Sequence, residues 1–260
     1  MQLVVRKQLV DDMVPVAEID TQRQDVFYGT FRASMKMTGN PGTCAAFFWY
    51  FNDTQEIDME FLSKDFNPSN NSYPVNLVLQ SRQAAEAGYN AASTGNFIKA
   101  FLPFDPTTDF HEYRIDYIPG RVYFYADGEV LAEMTGSAVP TSPGHLILQH
   151  WSNGNPLWSG GPPPNDSALT VEYVKAYFNS SLLQRHADWA ARCTNATAPG
   201  AICEIPNLDK DWFFGLHPNM TPNQTVWVSD ENAGSRLEIL RWWTIISALL
   251  LVNGWLLGLW

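Results

Sequence analysis

Thr54-Gln55-Glu56-Ile57-Asp58-Met59-Glu60-Phe61 alternates acidic and apolar side chains from Glu56 to Phe61. In a strand, residues two apart share a face, so Ile57, Met59 and Phe61 enter a core while Glu56, Asp58 and Glu60 point together to the other side. A row of three carboxylates is electrostatically costly. Neighbouring like charges lift one another's pKa, and an ordinary exposed strand separates them or interleaves lysines. The nearest basic residue on the segment, Lys64, lies outside the triplet.

Coupled carboxylates of this kind suit retaining glycoside hydrolysis, which needs one ionised nucleophile, one protonated acid and a third group that separates their proton affinities. Positions four apart on a strand lie roughly 13 Å from each other, whereas retaining chemistry brings its carboxyl groups to about 5–5.5 Å, so this sheet is expected to be concave. A calcium site is the competing functional reading; calcium loops, however, take their ligands from a Gly-containing turn rather than an alternating strand. A solvated acidic edge is the structural alternative.

Outward from this strand, residues 26–179 alternate short aromatic and β-branched runs with clusters of Gly, Pro and Asn. Candidate strands are 28–37, 44–51, 54–63, 73–80, 110–118, a hairpin around Asp127-Gly128, 145–151 and 169–178. The pattern is all-β and predicts a two-layer sandwich or jelly roll for residues 1–179. Residues 180–231 form an extension, in which Leu182, Leu183, His186, Trp189 and Ala190 share one helical face before a sequon-rich loop region.

The 260-residue chain has 27 acidic and 16 basic side chains and a net charge of −11. Its bases are scattered singly, which excludes the cationic stripe that nucleic acid requires. A neutral or cationic ligand is expected, and exposed aromatic faces are what uncharged sugar rings stack on. Asn-x-Ser/Thr sequons begin at Asn52, Asn70, Asn165, Asn179, Asn195, Asn219 and Asn223. Roughly two would arise by chance, so the chain reads as an extracellular glycoprotein. Cys193 and Cys203 are the natural local disulfide in that compartment. Cys44 is then left over, either as a buried small hydrophobe or with a partner outside this sequence.

The first 25 residues are charged and contain no apolar leader segment, so the natural chain is expected to extend upstream with a signal and at least one strand. At the other end, residues 232–260 read as a membrane tether: Trp242 to Trp260 is an uncharged run that holds four of the ten tryptophans. The small residues at Asn232-Ala233-Gly234-Ser235 and the polar spacer to Arg241 favour a glycolipid-anchor signal over a retained membrane span.

Several segments in order resemble glycoside hydrolase family 16. They are Tyr28-Gly29-Thr30-Phe31-Arg32-Ala33, Ala46-Phe47-Phe48-Trp49, the acidic strand, Phe110-His111-Glu112-Tyr113-Arg114-Ile115-Asp116-Tyr117, Val122-Tyr123-Phe124-Tyr125-Ala126-Asp127-Gly128 and the stretch from Trp151 to Pro163. The resemblance implies a concanavalin A-like β-jelly roll and retaining attack on β-1,3 or mixed β-1,3/1,4-glucans of cell walls. By position, Glu56 falls on the nucleophile, Glu60 on the general acid/base and Asp58 on the carboxylate between them. Tyr117 stands where the family often has Trp and reads as a core substitution. The acidic motif lacks the extra residue that laminarinase-like members insert before the last Glu, which keeps mixed-linkage hydrolases and wall transglycosylases open. A non-catalytic glucan-binding surface protein is the further alternative.

Sugar-stacking or hydrogen-bonding roles are expected for Trp49, His150, Trp151 and Trp158, and for Asn76 and Gln80, which share one face of an otherwise apolar strand. Of Trp49 and Tyr50, alternation lets only one face the carboxylates, and Trp49 is the expected one. No metal or cofactor is expected, and the protein is read as monomeric.

Overall fold

The computed structural model describes residues 1–183, which form two antiparallel six-stranded sheets. The first sheet has the order β1 (Gln2–Val5), β12 (Ser167–Ser180), β3 (Val26–Lys36), β8 (His111–Ile118), β9 (Arg121–Ala126) and β10 (Glu129–Thr135). The second has the order β2 (Ala17–Asp20), β11 (His145–Trp151), β4 (Cys44–Asn52), β5 (Gln55–Leu62), β6 (Pro74–Ser81) and β7 (Phe97–Phe101). In each sheet a run of consecutive strands, β8-β9-β10 and β4-β5-β6-β7, is extended by neighbours distant in sequence, as in a concanavalin A-like jelly roll, and the acidic strand β5 lies inside its sheet between β4 and β6.

Period-2 patterning explains the layering. Phe31, Ala33 and Met35 of β3 and Tyr113, Ile115 and Tyr117 of β8 meet Phe47, Ile57, Met59, Phe61, Leu77 and Leu79 of the second sheet in one buried cluster. Each of the larger aliphatic and phenylalanine side chains contributes about 1.5–3 kcal/mol when fully buried. Tyr117 is a core residue, as its sequence context implied: it is fully buried, its hydroxyl donates to the Pro140 carbonyl at 2.7 Å, and its ring lies 5.0 Å from that of Trp49. The β9–β10 hairpin turns at Asp127 (φ 47°) and Gly128 (φ 83°), the two left-handed positions of a type I′ turn.

Three strands lie outside the segments expected from sequence. β1 and β2 are four residues each, and β7 carries an exposed Lys99 in the middle of five residues, so none offers a long alternating run. Each sits at or beside a sheet edge, where half of the backbone pairing is absent and the patterning is correspondingly weak. His186, Trp189, the Cys193–Cys203 pair, Asn195, Asn219, Asn223 and the apolar run from Trp242 to Trp260 lie outside the described residues. Among the described residues, no helix is long and apolar enough to cross a membrane.

Candidate active site

Cross-strand register arranges the outward face of the second sheet into rows. Glu56 stands between Tyr50 of β4 and Gln80 of β6, and Tyr50 in turn faces His145 of β11. Asp58 stands between Phe48 and Val78. Glu60 stands between Ala46 and Asn76, with Gln149 beyond Ala46 and Lys99 beyond Asn76. The three carboxylates thus occupy three successive rows of a single face, with an aromatic, an apolar and a small-residue neighbour on β4.

None of the three makes an ion pair with a base among the described residues. Burial is the largest influence on each and pushes all three carboxyls above their ordinary range. Asp58, 5% exposed, is pushed furthest, because the charge of Glu56, its hydrogen bond to Glu56 and the charge of Glu60 all favour its neutral form. Glu60 is pushed up to about 7 by burial and then by the charge of Glu56. Glu56 alone has a substantial opposing influence: it accepts a hydrogen bond from the protonated Asp58, which favours its ionised form. The arrangement therefore separates one carboxylate from two carboxylic acids. Among the described residues, no group of three His, Cys, Asp or Glu is placed to hold a metal ion.

Trp49 requires a correction. It is fully buried in the core, and its indole N–H donates to the Val26 carbonyl at 3.1 Å. The cause is a β-bulge between Tyr50 and Asn52. An unbroken ladder from the Asn52–Gln55 pair would set Phe51 against Glu56 and Trp49 against Asp58; the extra residue shifts the register by one and turns Tyr50 to the carboxylates instead. His150 is corrected for a simpler reason. Adjacent strand residues point to opposite sides, so with Trp151 outward His150 turns inward. It is fully buried, with Nδ1 2.9 Å from the Leu3 carbonyl oxygen, and ties β11 of one sheet to β1 of the other.

The remaining expected residues fall as follows. Trp151 is half-buried opposite Cys44, whose own partner Leu62 lies one pleat beyond Glu60. Trp158 is exposed in the loop after β11, where its backbone N–H donates to the Asn155 carbonyl at 3.0 Å. Asn76 is buried opposite Glu60 and Gln80 half-buried opposite Glu56. Cys44 is a free, fully buried thiol, pushed up by burial and then by the charge of Glu60. Asn70 and Asn165 are exposed, whereas Asn52 and Asn179 are half-buried; the Asn52 side-chain oxygen accepts from the Thr54 N–H and hydroxyl, both at 3.0 Å.

Sequence reasoning missed Tyr50 and His145. Their rings meet edge-on at 5.6 Å beside Glu56, and Tyr50 donates to Asp53 at 2.7 Å, which pushes its hydroxyl up to about 12. The Gln80 Oε1 and His145 Nδ1 atoms, one on each side of the Glu56 row, are buried without a protein partner. Buried polar atoms are ordinarily paired, so these two are suited to hydroxyls of a bound ligand.

Residues 9–175 match the family described as Glycosyl hydrolases family 16. The chain belongs to that family. A β-glucanase of Paenibacillus polymyxa is 31% identical over 139 residues, covering 51% of this chain and 52% of its own. A β-glucanase of Bacillus subtilis is 26% identical, covering 62% and 57% respectively, so this family 16 chain spans about half the length of such relatives. Among solved structures, a β-1,3-1,4-glucanase (lichenase) from a mouse hindgut metagenome aligns with a TM-score of 0.54 and 25% identity, covering 68% of this chain and 78% of that one.

Proposed function

We propose that this family 16 chain is a retaining glycoside hydrolase that cleaves β-1,3 or mixed β-1,3/1,4-glucans of cell walls, with Glu56 as nucleophile, Glu60 as general acid/base and Asp58 as the tuning carboxyl. The observation that carries the reading is the division of protons along β5: Asp58 hydrogen-bonds Glu56 and favours its ionised form, while Glu60 holds its proton up to about pH 7. Glu56 attacks the anomeric carbon as Glu60 protonates the departing glycosidic oxygen. The aglycone leaves and a glycosyl ester to Glu56 remains. Glu60, now ionised, takes the proton of an incoming water, whose oxygen displaces Glu56 and restores the original configuration. Asp58 donates to Glu56 in the free enzyme and again to the carboxylate released in the second step.

The two β-glucanase relatives and the lichenase likeness support the substrate class. Its site of action is proposed to lie outside the cell, on the strength of the seven sequons, with the apolar terminal run as a membrane tether and Cys193–Cys203 as a disulfide. Incubation with laminarin, lichenan and a fluorescent oligosaccharide acceptor tests the reading. Shortened, unlabelled products with new reducing ends are expected, and none from Glu56→Ala. Label appearing in longer chains assigns transfer to a glycan rather than to water. Glucan binding with no new reducing ends and no transfer in the parent would overturn the enzyme reading in favour of a binding protein.

A further inference from the structure

We infer that Phe101, on the edge strand β7, is an outlying sugar-stacking platform that extends the polysaccharide site beyond the carboxylates; the inference rests on the glucan-cleaving reading above. Phe97, Lys99 and Phe101 share the carboxylate face of β7, because the intervening Ile98 and Ala100 pack against the core. Phe97 packs with Val78 against Ala84 of the short helix α1 (Arg82–Glu86) and Ala91 of the following turn. That cover closes the end of the Asp58 row. The next two positions stay open, with Lys99 exposed opposite Asn76 and Phe101 60% exposed opposite the buried Pro74. A chain leaving Glu60 across the sheet passes Asn76 and reaches this open edge.

The spacing suits a polymer. Phe101 stands two strands from Glu60, roughly 10 Å across the sheet, and one pleat repeat, roughly 7 Å, along it. The distance matches roughly the second or third ring from the bond being cut. Trp151, opposite Cys44 on β11, stands on the other side of β5, so the carboxylates lie between two aromatic side chains on one face. A large aromatic left in solvent at a sheet edge, with a polar route leading to it from the reacting groups, is the arrangement that an uncharged sugar ring covers by stacking. Lys99, next to Phe101 on the same face, pairs with Asp65 of the turn after β5 at 3.1 Å.

The test compares the parent, Phe101→Ala and Phe101→Trp on β-1,3/1,4-gluco-oligosaccharides from trimer to octamer. In the parent, kcat/KM is expected to rise with length. In Phe101→Ala the ratio of long to short substrate falls roughly fivefold, carried by KM, and Phe101→Trp restores it. Phe101→Ala with the parent's length profile, or with an equal loss at every length, would overturn the platform while the hydrolase reading stands. A parent that turns over none of the oligosaccharides, or laminarin or lichenan, overturns the hydrolase reading and the platform with it.

Discussion

Asp58 and Asp116 are two nearly buried aspartates on the outward faces of opposite sheets, 5% and 3% exposed, and the protein treats them in opposite ways. Asp116 on β8 receives a forked pair of hydrogen bonds from Arg114, one of them at 2.7 Å, and Arg114 in turn lies over the Tyr125 ring. Two residues away on the same strand, Glu112 accepts from the Tyr173 hydroxyl at 2.7 Å and lies 3.6 Å from Arg32. On the first sheet both of these acids therefore have a base within reach. On the second sheet Asp58 has, among the described residues, Glu56 and Glu60 as its charged neighbours and answers by keeping a proton. A buried acid beside a base is architecture. A buried acid beside other acids is a standing cost, and such a cost is the usual mark of a site whose proton affinities are in use.

The largest effect is expected at Glu56, the proposed nucleophile. Glu56→Ala is expected to lower kcat on lichenan by about ten-thousandfold or more with no loss of thermal stability, since it removes a carboxyl whose burial is unfavourable. A variant with near-parent turnover would remove Glu56 from the chemistry. The two aspartates should then respond in inverse fashion. Asp58→Asn is expected to cut kcat roughly 10- to 100-fold, because Glu56 loses its graded partner, while the melting temperature stays level or rises. Asp116→Asn strands the Arg114 guanidinium and is expected to lose about 1–3 kcal/mol of stability while the folded fraction keeps its turnover. Urea unfolding together with initial rates reads both effects. Equal behaviour of the two variants would erase the distinction between the faces.

The pH profile sharpens the same contrast. As the proposed general acid, Glu60 would need its proton to release the leaving group, and that proton is lost through about pH 7. kcat/KM is therefore expected to fall about tenfold per pH unit above about 7, with this limb absent for substrates whose leaving group needs no acid, such as a dinitrophenyl glycoside. A profile flat to pH 9 on lichenan would assign the acid elsewhere.

Much of the fold and of the candidate site is legible in the sequence, and the exceptions have definite causes. The acidic strand, its apolar reverse face and the long central strands announce themselves because alternation there is enforced on both sides by packing. Asn76 and Gln80 are visible for the same reason, as polar interruptions of an apolar strand. Trp49 was misassigned because its facing depends on a single bulged residue at Phe51, and composition does not mark a bulge. Tyr50 and His145 were missed with it, since their place follows from that shifted register and from no motif. His150 borrowed its assignment from Trp151, although neighbours in an unbulged strand point to opposite faces. β7 escaped notice because it is five residues long and shows the core only Ile98 and Ala100, too short an alternation to read against the outward Lys99 and Phe101. Pairing across a sheet is a property of two strands at once, and one strand's sequence carries only half of it.

The smallest expected effect concerns stability alone. The Glu60 carboxyl has its proton affinity raised from 4.5 in an ordinary setting to about 7 in the fold. Below about pH 4.5 both folded and unfolded chains hold this proton, so Glu60 leaves stability unchanged. Between about 4.5 and about 7 the unfolded chain releases the proton while the folded chain keeps it, so stability falls as pH rises. Above about 7 both have lost it and the full cost of a buried carboxylate remains. Glu60→Gln removes the charge and keeps the shape. It is therefore expected to raise the melting temperature at pH 8 by a few degrees, corresponding to about 1–2 kcal/mol, and to leave it unchanged at pH 4. The matching substitution on the other sheet, Glu112→Gln, breaks the Arg32 pair and should lower the melting temperature at pH 8. Calorimetry of the two variants at both pH values measures the opposition directly. A Glu60→Gln protein no more stable than the parent at pH 8 would mean that its carboxylate is solvated after all, and that the second sheet's acids are not held under the strain from which their roles are argued.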